Sequence, residues 1–312
     1  MPTFHEPVLR QQVFQYLIIK EEGLIVDGTL GDGGHTEFLL ENTGPRLRVL
    51  GIDRDASALE RAKKRLARFG DRVTCVHGTY STIQSILDRF KIEKIDGLLL
   101  DLGVSSPQID NPERGFSFMR DGNLDMRMDR TQEITAAGLL QTLSDKDLEA
   151  VIRDYGEERH YKRIVRAIRK AQAISPVLTT LQLSNILFSA LYSRRPAKIH
   201  PATRTFQALR IAVNRELEHL KTALSDSIGV LNAGARVVII SFHSLEDRIV
   251  KTFFREQEKG CICPPRIPSC VCGKKQTLKI ITKRVITADK AEVDRNPRAS
   301  SAKMRVAERV YV

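Results

Sequence analysis

No apolar run in the 312 residues is long enough to cross a bilayer, which excludes a membrane span. Glycine and proline are sparse, at 19 and 12 positions. With 42% hydrophobic and 28% charged residues, the chain is not collagen-like, low-complexity or fully disordered. Five cysteines over this length are too few for a disulfide scaffold. The opening Met-Pro-Thr-Phe-His-Glu-Pro lacks both the cationic and the apolar segment of a signal peptide, so the expected compartment is the cytoplasm. Acidic charge is the scarcer sign: 38 Asp+Glu against 50 Lys+Arg leave +12, with an isoelectric point near 9.6. Most of the excess lies in residues 259–312, which hold 13 Lys/Arg and 4 Asp/Glu. That points to a polyanionic partner, nucleic acid ahead of a membrane surface, with a merely solubilising surface as the plain alternative.

What is present is a rhythm. Residues 6–20 carry apolar positions at helical spacing. Short apolar runs then end at Asp27, Asp53, Val76 and Asp101, separated by helical stretches over 34–40, 56–68 and 83–90. Strands alternating with helices of about a dozen residues imply crossover units and a parallel sheet, and runs without polar alternation suit a sheet covered on both faces. The rhythm stops at Asp101. Residues 103–130 show no period, and a long loop of this kind inside a compact domain is usually functional. The pattern from 133 to 200 is purely helical and includes a basic amphipathic helix over 159–172 and another helix over 180–191. A long helix over 203–224 precedes a fifth strand (235–242), a helix (245–257) and two further strands (278–287 and 304–312). The division read from this is a first core segment 1–105, a helical insertion 106–205 for substrate recognition, and a second core segment 206–312 with the basic region.

The turn Asp27-Gly28-Thr29-Leu30-Gly31-Asp32-Gly33-Gly34-His35 joins a strand to a helix, and its glycines allow a ligand to approach the backbone. The dinucleotide pattern G-x-G-x-x-G is not met. Asp27 and Asp32 flank the loop, which should repel a diphosphate and attract a sulfonium or ammonium. Asp53 ends the next strand, where a carboxylate takes the hydroxyls of an adenosine ribose, a contact of about 1.5–3 kcal/mol. These features favour S-adenosylmethionine over NAD, against the plain reading of a tight turn with capping acids. Tyr80 would lie against adenine or pack under the sheet. Asp101 leaves the carboxyl end of the fourth strand, where ligands sit in open parallel sheets, with Ser105, Ser106 and Gln108 just beyond it.

The segments 27–35, 101–108 (Asp-Leu-Gly-Val-Ser-Ser-Pro-Gln), 114–122 (Arg-Gly-Phe-Ser-Phe-Met-Arg-Asp-Gly), 124–129, 155–159, 200–208 and 241–248 (Ser-Phe-His-Ser-Leu-Glu-Asp-Arg) resemble the bacterial small-subunit ribosomal RNA methyltransferase H family. The match runs in order from His5 to about Arg309. The resemblance implies a Rossmann-like, seven-stranded α/β methyltransferase core with an inserted all-helical domain. It further implies S-adenosylmethionine-dependent methylation of the N4 amine of a decoding-centre cytidine, position 1402 of 16S rRNA, within the small ribosomal subunit. The family's cofactor positions carry over to Gly33, Gly34, His35, Asp53, Asp101 and Gln108. Tyr80 stands where the family often has Phe, and the ring is retained.

Methyl transfer from a sulfonium is an in-line displacement that depends on placement, with nucleophile and methyl about 3–3.5 Å apart. The cytosine N4 lone pair is delocalised into the ring, so acceptors aimed at its hydrogens would localise it. Asp101, Ser105 and Ser106 are the candidates for that role. Methylation at cytosine C5 would need a cysteine nucleophile, and none follows the fourth or fifth strand; Cys75 falls inside a strand. His243 either meets substrate or orders its loop. Arg114, Arg120, Arg127, Arg159, Arg204 and Arg210 are candidates for phosphate contacts, and Phe116 and Phe118 for stacking on an extruded base. Cys261, Cys263, Cys270 and Cys272 suit structural zinc, free thiols or a redox pair, in a loop stiffened by Pro264, Pro265 and Pro268; no catalytic metal is expected. The rival functions are an NAD-dependent oxidoreductase and a non-enzymatic RNA-binding factor on the same fold.

Overall fold

The structure, a computed structural model, describes residues 6–192, 200–264 and 269–310. Of the positions singled out above, His5, Pro265, Pro268 and the end of the last strand at 311–312 lie outside the described residues. In chain order the elements begin with α1 (Arg10–Leu17), β1 (Gly23–Asp27), α2 (Gly34–Glu41), β2 (Leu47–Asp53), α3 (Ala56–Leu66), β3 (Val73–His77), α4 (Ile83–Arg89) and β4 (Ile95–Asp101). Helices follow: α5 (Ser106–Asp110), α6 (Ala136–Thr142), α7 (Asp145–Gly156), α8 (Tyr161–Gln172), α9 (Thr180–Leu191), α10 (Ala202–Asn214) and α11 (Glu216–Val230). The chain then forms β5 (Leu231–Ser241), α12 (Ser244–Glu258), β6 (Leu278–Ile280), α13 (Lys290–Arg295) and β7 (Lys303–Arg309). Two compact units result, Met1–Gly103 with Leu217–Val312, and Val104–Glu216.

The first unit is built on one seven-stranded sheet in the order β3-β2-β1-β4-β5-β7-β6. Strands β1 to β5 run parallel, and β7 is antiparallel to both of its neighbours. This is a Rossmann-like α/β arrangement. Successive side chains of a strand point to opposite faces. On β4, Leu98 and Leu100 enter one core with Ile83 and Ile86 of α4 and Leu220 and Leu224 of α11. Leu99 enters the other, with Val13 and Leu17 of α1 and Leu39 and Leu40 of α2. Both faces are covered, which is why Leu98 to Leu100 follow one another without polar alternation. Strand order reverses at β1, which pairs with β2 on one side and β4 on the other; Asp27 lies opposite Gly51 and Leu99. A ligand-binding crevice forms at such a switch point, at the carboxyl ends of the strands.

The second unit packs α6 to α10 around Leu124 and Met126. Its aperiodic entry segment is ordered by polar contacts in place of periodic apolar ones. Arg114 is buried, and its guanidinium donates to the carbonyls of Arg127 and Met128 at 3.0 Å each. Asn214 donates to Met126 O and accepts from Met128 N, both at 2.8 Å.

Two sequence expectations need correction. The helix expected over 203–224 is two helices, because Arg215 adopts a left-handed backbone (φ 48°) while Asn214 turns back to bond Arg210 O. The strand expected over 278–287 ends at Ile280. There the amides of Ile281 and Thr282 both bond the single carbonyl of Val306, at 3.0 and 3.3 Å. Two residues opposing one is a bulge that ends regular pairing, and pairing returns only as a lone bridge from Ile286 to Met304.

Candidate functional site

In the first unit, β1 and β4 end side by side. Gly28 N donates to Leu99 O at 2.9 Å, and Asp101 N donates to Thr29 Oγ1 at 2.6 Å. The turn out of β1 is therefore fastened to the exit of β4. Gly31 and Gly33 take positive φ, 54° and 81°. A Cβ on Gly33 would stand 2.8 Å from Leu66 Cδ1, so this glycine serves the packing of α2 against α3 as well as the turn.

Asp27 is buried, and its carboxylate accepts from Thr36 Oγ1 at 2.8 Å and from Thr29 N at 3.2 Å. Burial pushes its pKa up to about 6, opposed by His35 and these hydrogen bonds. Asp53 accepts from Gly31 N at 2.7 Å through Oδ2 and from Asp55 N at 2.8 Å through Oδ1. Burial raises its pKa despite both bonds. Each of its oxygens keeps a lone pair for a hydroxyl. Asp32 does not contribute the free negative charge expected of it. Arg61 of α3 lies 2.8 Å from its Oδ1, so the charge at the loop mouth is compensated.

His35 stands in the first turn of α2 with Nε2 3.3 Å from Asp101 Oδ2. That approach is too poorly aligned to be a hydrogen bond: His35 Nε2 and Asp101 Oδ1 are both buried polar atoms without a partner. Buried polar groups are normally satisfied, so two orphans side by side at the switch point mark a place built for something else. The polar groups here, with the carboxylates of Asp101 and Asp53, an imidazole and half-buried turn backbone, suit a cationic ligand that carries a vicinal diol, as S-adenosylmethionine does. Tyr80, after β3, is buried at 7% exposure, with the Arg54 guanidinium 5.7 Å from its ring centre.

Ser105, Ser106 and Gln108 belong to the second unit. Gln108 Oε1 accepts from Ser105 N at 3.0 Å, so Gln108 closes the first turn of α5. The Ser105 hydroxyl is buried and without a partner. His243 takes the loop-ordering role, capping α12 by accepting from Glu246 N at 3.4 Å, while Glu246 Oε2 accepts from Phe242 N at 2.9 Å. Phe118 stacks on His200 and meets Phe206 edge-on, with ring centres 4.6 and 5.0 Å away; it is a packing residue.

Four of the six arginines proposed for phosphate contact have internal partners. Arg114 binds carbonyls, Arg127 grips Asp125, Arg204 meets Glu158 and Arg210 meets Glu216. Arg120 and Arg159 are exposed. Thr29, Thr36 and Arg61 were missed because short polar side chains and one helical cation carry no spacing signal. Only the location of Thr29, two residues past the end of β1, pointed to it.

Residues 2–310 match the model of the MraW methylase family. A protein of Halothermothrix orenii called ribosomal RNA small subunit methyltransferase H is 50% identical over 307 residues, covering 98% of each chain. Namesakes from Trichlorobacter lovleyi and Geobacter sulfurreducens are 50% and 49% identical, over 99% of this chain and 100% of their own. The matched span takes in the glycine turn, the β4 exit and the inserted helices alike, and the chain belongs to the MraW methylase family.

Proposed function

We propose that this protein transfers a methyl group from S-adenosylmethionine to the exocyclic N4 amine of cytidine 1402 of 16S rRNA, in the cytoplasm and within the small ribosomal subunit. The observation that carries the reading is the orphaned pair His35 Nε2 and Asp101 Oδ1 at the β1/β4 switch point. The names of the half-identical relatives supply the class of RNA. Gly33, Gly34, His35, Asp53, Tyr80, Asp101 and Gln108 hold the cofactor. Asp53 takes the ribose hydroxyls, the glycine turn receives the amino acid end, and Tyr80 forms the adenine wall. Gln108 contributes by fixing the turn that follows β4. When bound, the cofactor supplies an electrophilic methyl group on a sulfonium.

The rest of the chemistry belongs to the protein. One oxygen of Asp101 faces His35, which leaves Oδ1 to accept a hydrogen from the N4 amine. This draws the nitrogen lone pair out of the ring and toward the methyl group. Ser105 and Ser106 help to orient the base through their hydroxyls. Attack by a cysteine on the ring finds no support among the described residues. Cys75 lies within β3, and burial raises its thiol pKa, which disfavours the thiolate.

Small subunits from cells lacking this protein should accept labelled methyl from S-adenosylmethionine, and mass mapping should find it on N4 of that cytidine. A new carbon on the ring or the ribose would overturn the reading. Failure to label any form of the rRNA would favour the binding-factor alternative, and calorimetric binding of NAD in place of S-adenosylmethionine would favour the oxidoreductase.

A further inference from the structure

We propose that Cys261, Cys263, Cys270 and Cys272 bind one zinc ion that shapes the connection between α12 and β6. All four are free cysteines. In a tetrahedral thiolate site with arms of about 2.3 Å, the sulfurs stand about 3.8 Å apart. Here Cys261 and Cys272 are 3.8 Å apart and Cys263 and Cys270 are 3.9 Å apart. Cys270 lies 3.5 Å from Cys272 and 3.4 Å from Cys261. All four sulfurs fall within 4.8 Å of one another. They enclose room for one ion and are too close together to hold two irons with bridging sulfides. Thiolate ligands select a soft ion of the zinc type over magnesium or calcium.

The backbone is arranged for charged sulfur. Val271 N donates to Cys263 Sγ at 3.4 Å, Ile262 N to Cys272 Sγ at 3.5 Å, and Cys263 N to Cys261 Sγ at 3.4 Å. The middle residue of each C-x-C pair thus supports a sulfur of the other pair. Such outer contacts fix ligand geometry around a metal. Binding would discharge the remaining thiol protons to solvent and leave a dianionic centre, flanked in sequence by Lys259, Lys274 and Lys275.

No apolar core holds this segment. Ile262 and Val271 are 63% and 76% exposed. Among the described residues, 259–277 contain no helix, no strand and no buried hydrophobic side chain. A long connection of this kind needs a staple if it is to keep one shape.

The location assigns the ion a structural role. Helix α12 leaves the carboxyl end of β5 and runs 15 residues, roughly 22 Å. At its far end Thr277 N bonds Gln257 O, and Leu278 pairs with Arg309, beside the pairing of Arg236 at the start of the β5 ladder with Glu308. The cysteines therefore lie at the amino edge of the sheet, opposite the edge that holds Asp101 and His35.

Full-length protein, stripped with chelator under reductant and then given zinc alone, should retain one zinc per chain by elemental analysis. Cobalt(II) in its place should give the visible bands and thiolate charge-transfer absorption of a tetrahedral site. Four of the five thiols should resist a thiol reagent until zinc is removed. The fourfold variant Cys261→Ser, Cys263→Ser, Cys270→Ser, Cys272→Ser should retain no zinc and keep its affinity for S-adenosylmethionine within about twofold, as expected for independent sites. Because that variant can fail to fold, the cobalt spectrum and the thiol count on the unaltered protein decide by themselves. Five thiols reacting alike with and without zinc would overturn the proposal. So would iron with acid-labile sulfide, or four thiols already lost to disulfides in the denatured, unreduced chain.

Discussion

At the scale of single residues, Asp27 is the sharpest case, because it is a buried carboxylate with only neutral donors bonded to it. Its pKa is raised to about 6, so the folded chain holds the proton more tightly than the unfolded chain does. Its favourable contribution is complete below about pH 4 and is lost as pH rises through 6. Asp27→Asn does not titrate. The stability of the unaltered protein relative to this variant should therefore fall by about 2–2.5 kcal/mol between pH 4 and 7. Urea unfolding of both proteins across that range measures the gap, and a constant gap would return Asp27 to ordinary behaviour. Asp101 tests the chemistry. Asp101→Asn should lower kcat by about a hundredfold or more, beyond any loss of affinity for the methyl donor. If donor affinity falls and kcat holds, the carboxylate serves the cofactor and not the amine. The sequence made both aspartates visible, because each ends an apolar strand. It did not reveal that Arg61 neutralises Asp32, since a cation one helix away leaves no pattern in the turn.

At the scale of elements, the first four strands and the helices between them were legible to within a few residues, since burial on both faces writes itself as uninterrupted apolar runs. What was not legible was held by polar contacts. The segment 103–130 has no period because buried Arg114 and Asn214 order it through carbonyls and amides. Asn214→Ala would leave Met126 O and Met128 N buried without their side-chain partner. The loss should reach about 2–4 kcal/mol, read as an earlier denaturant midpoint with an unchanged slope. A cost below about 0.5 kcal/mol would mean that the loop finds other partners. The bulge at Val306 was equally invisible, because residues 281–287 keep a strand-like composition after the ladder has broken.

At the scale of the whole molecule, the positive charge is less free than its total suggests. Arg305 is held by Asp247 and Arg309 donates to Thr277 O, so part of the basic carboxyl-terminal region is internal structure. Helix α8 buries Ile164, Val165 and Ile168 and exposes Lys162, Arg163, Arg166 and Lys170. Changing Lys162, Arg166 and Lys170 to Gln should weaken binding to small-subunit rRNA and reduce the logarithmic salt slope by about 2. The same measurement after neutralising Lys283 and Arg284 provides the contrast; if the slope follows those residues instead, α8 is not the contact face. The order of the sheet has a further consequence for how the chain reaches this state. β4 pairs with β5, and everything from Leu102 to Val230 lies between them in sequence. At ordinary translation speeds, β4 waits on the order of ten seconds for that neighbour. During that time the β5-facing backbone edge of β4 and its leucine side chains stand uncovered on the nascent polypeptide, which leaves the chain open to mispairing until β5 arrives.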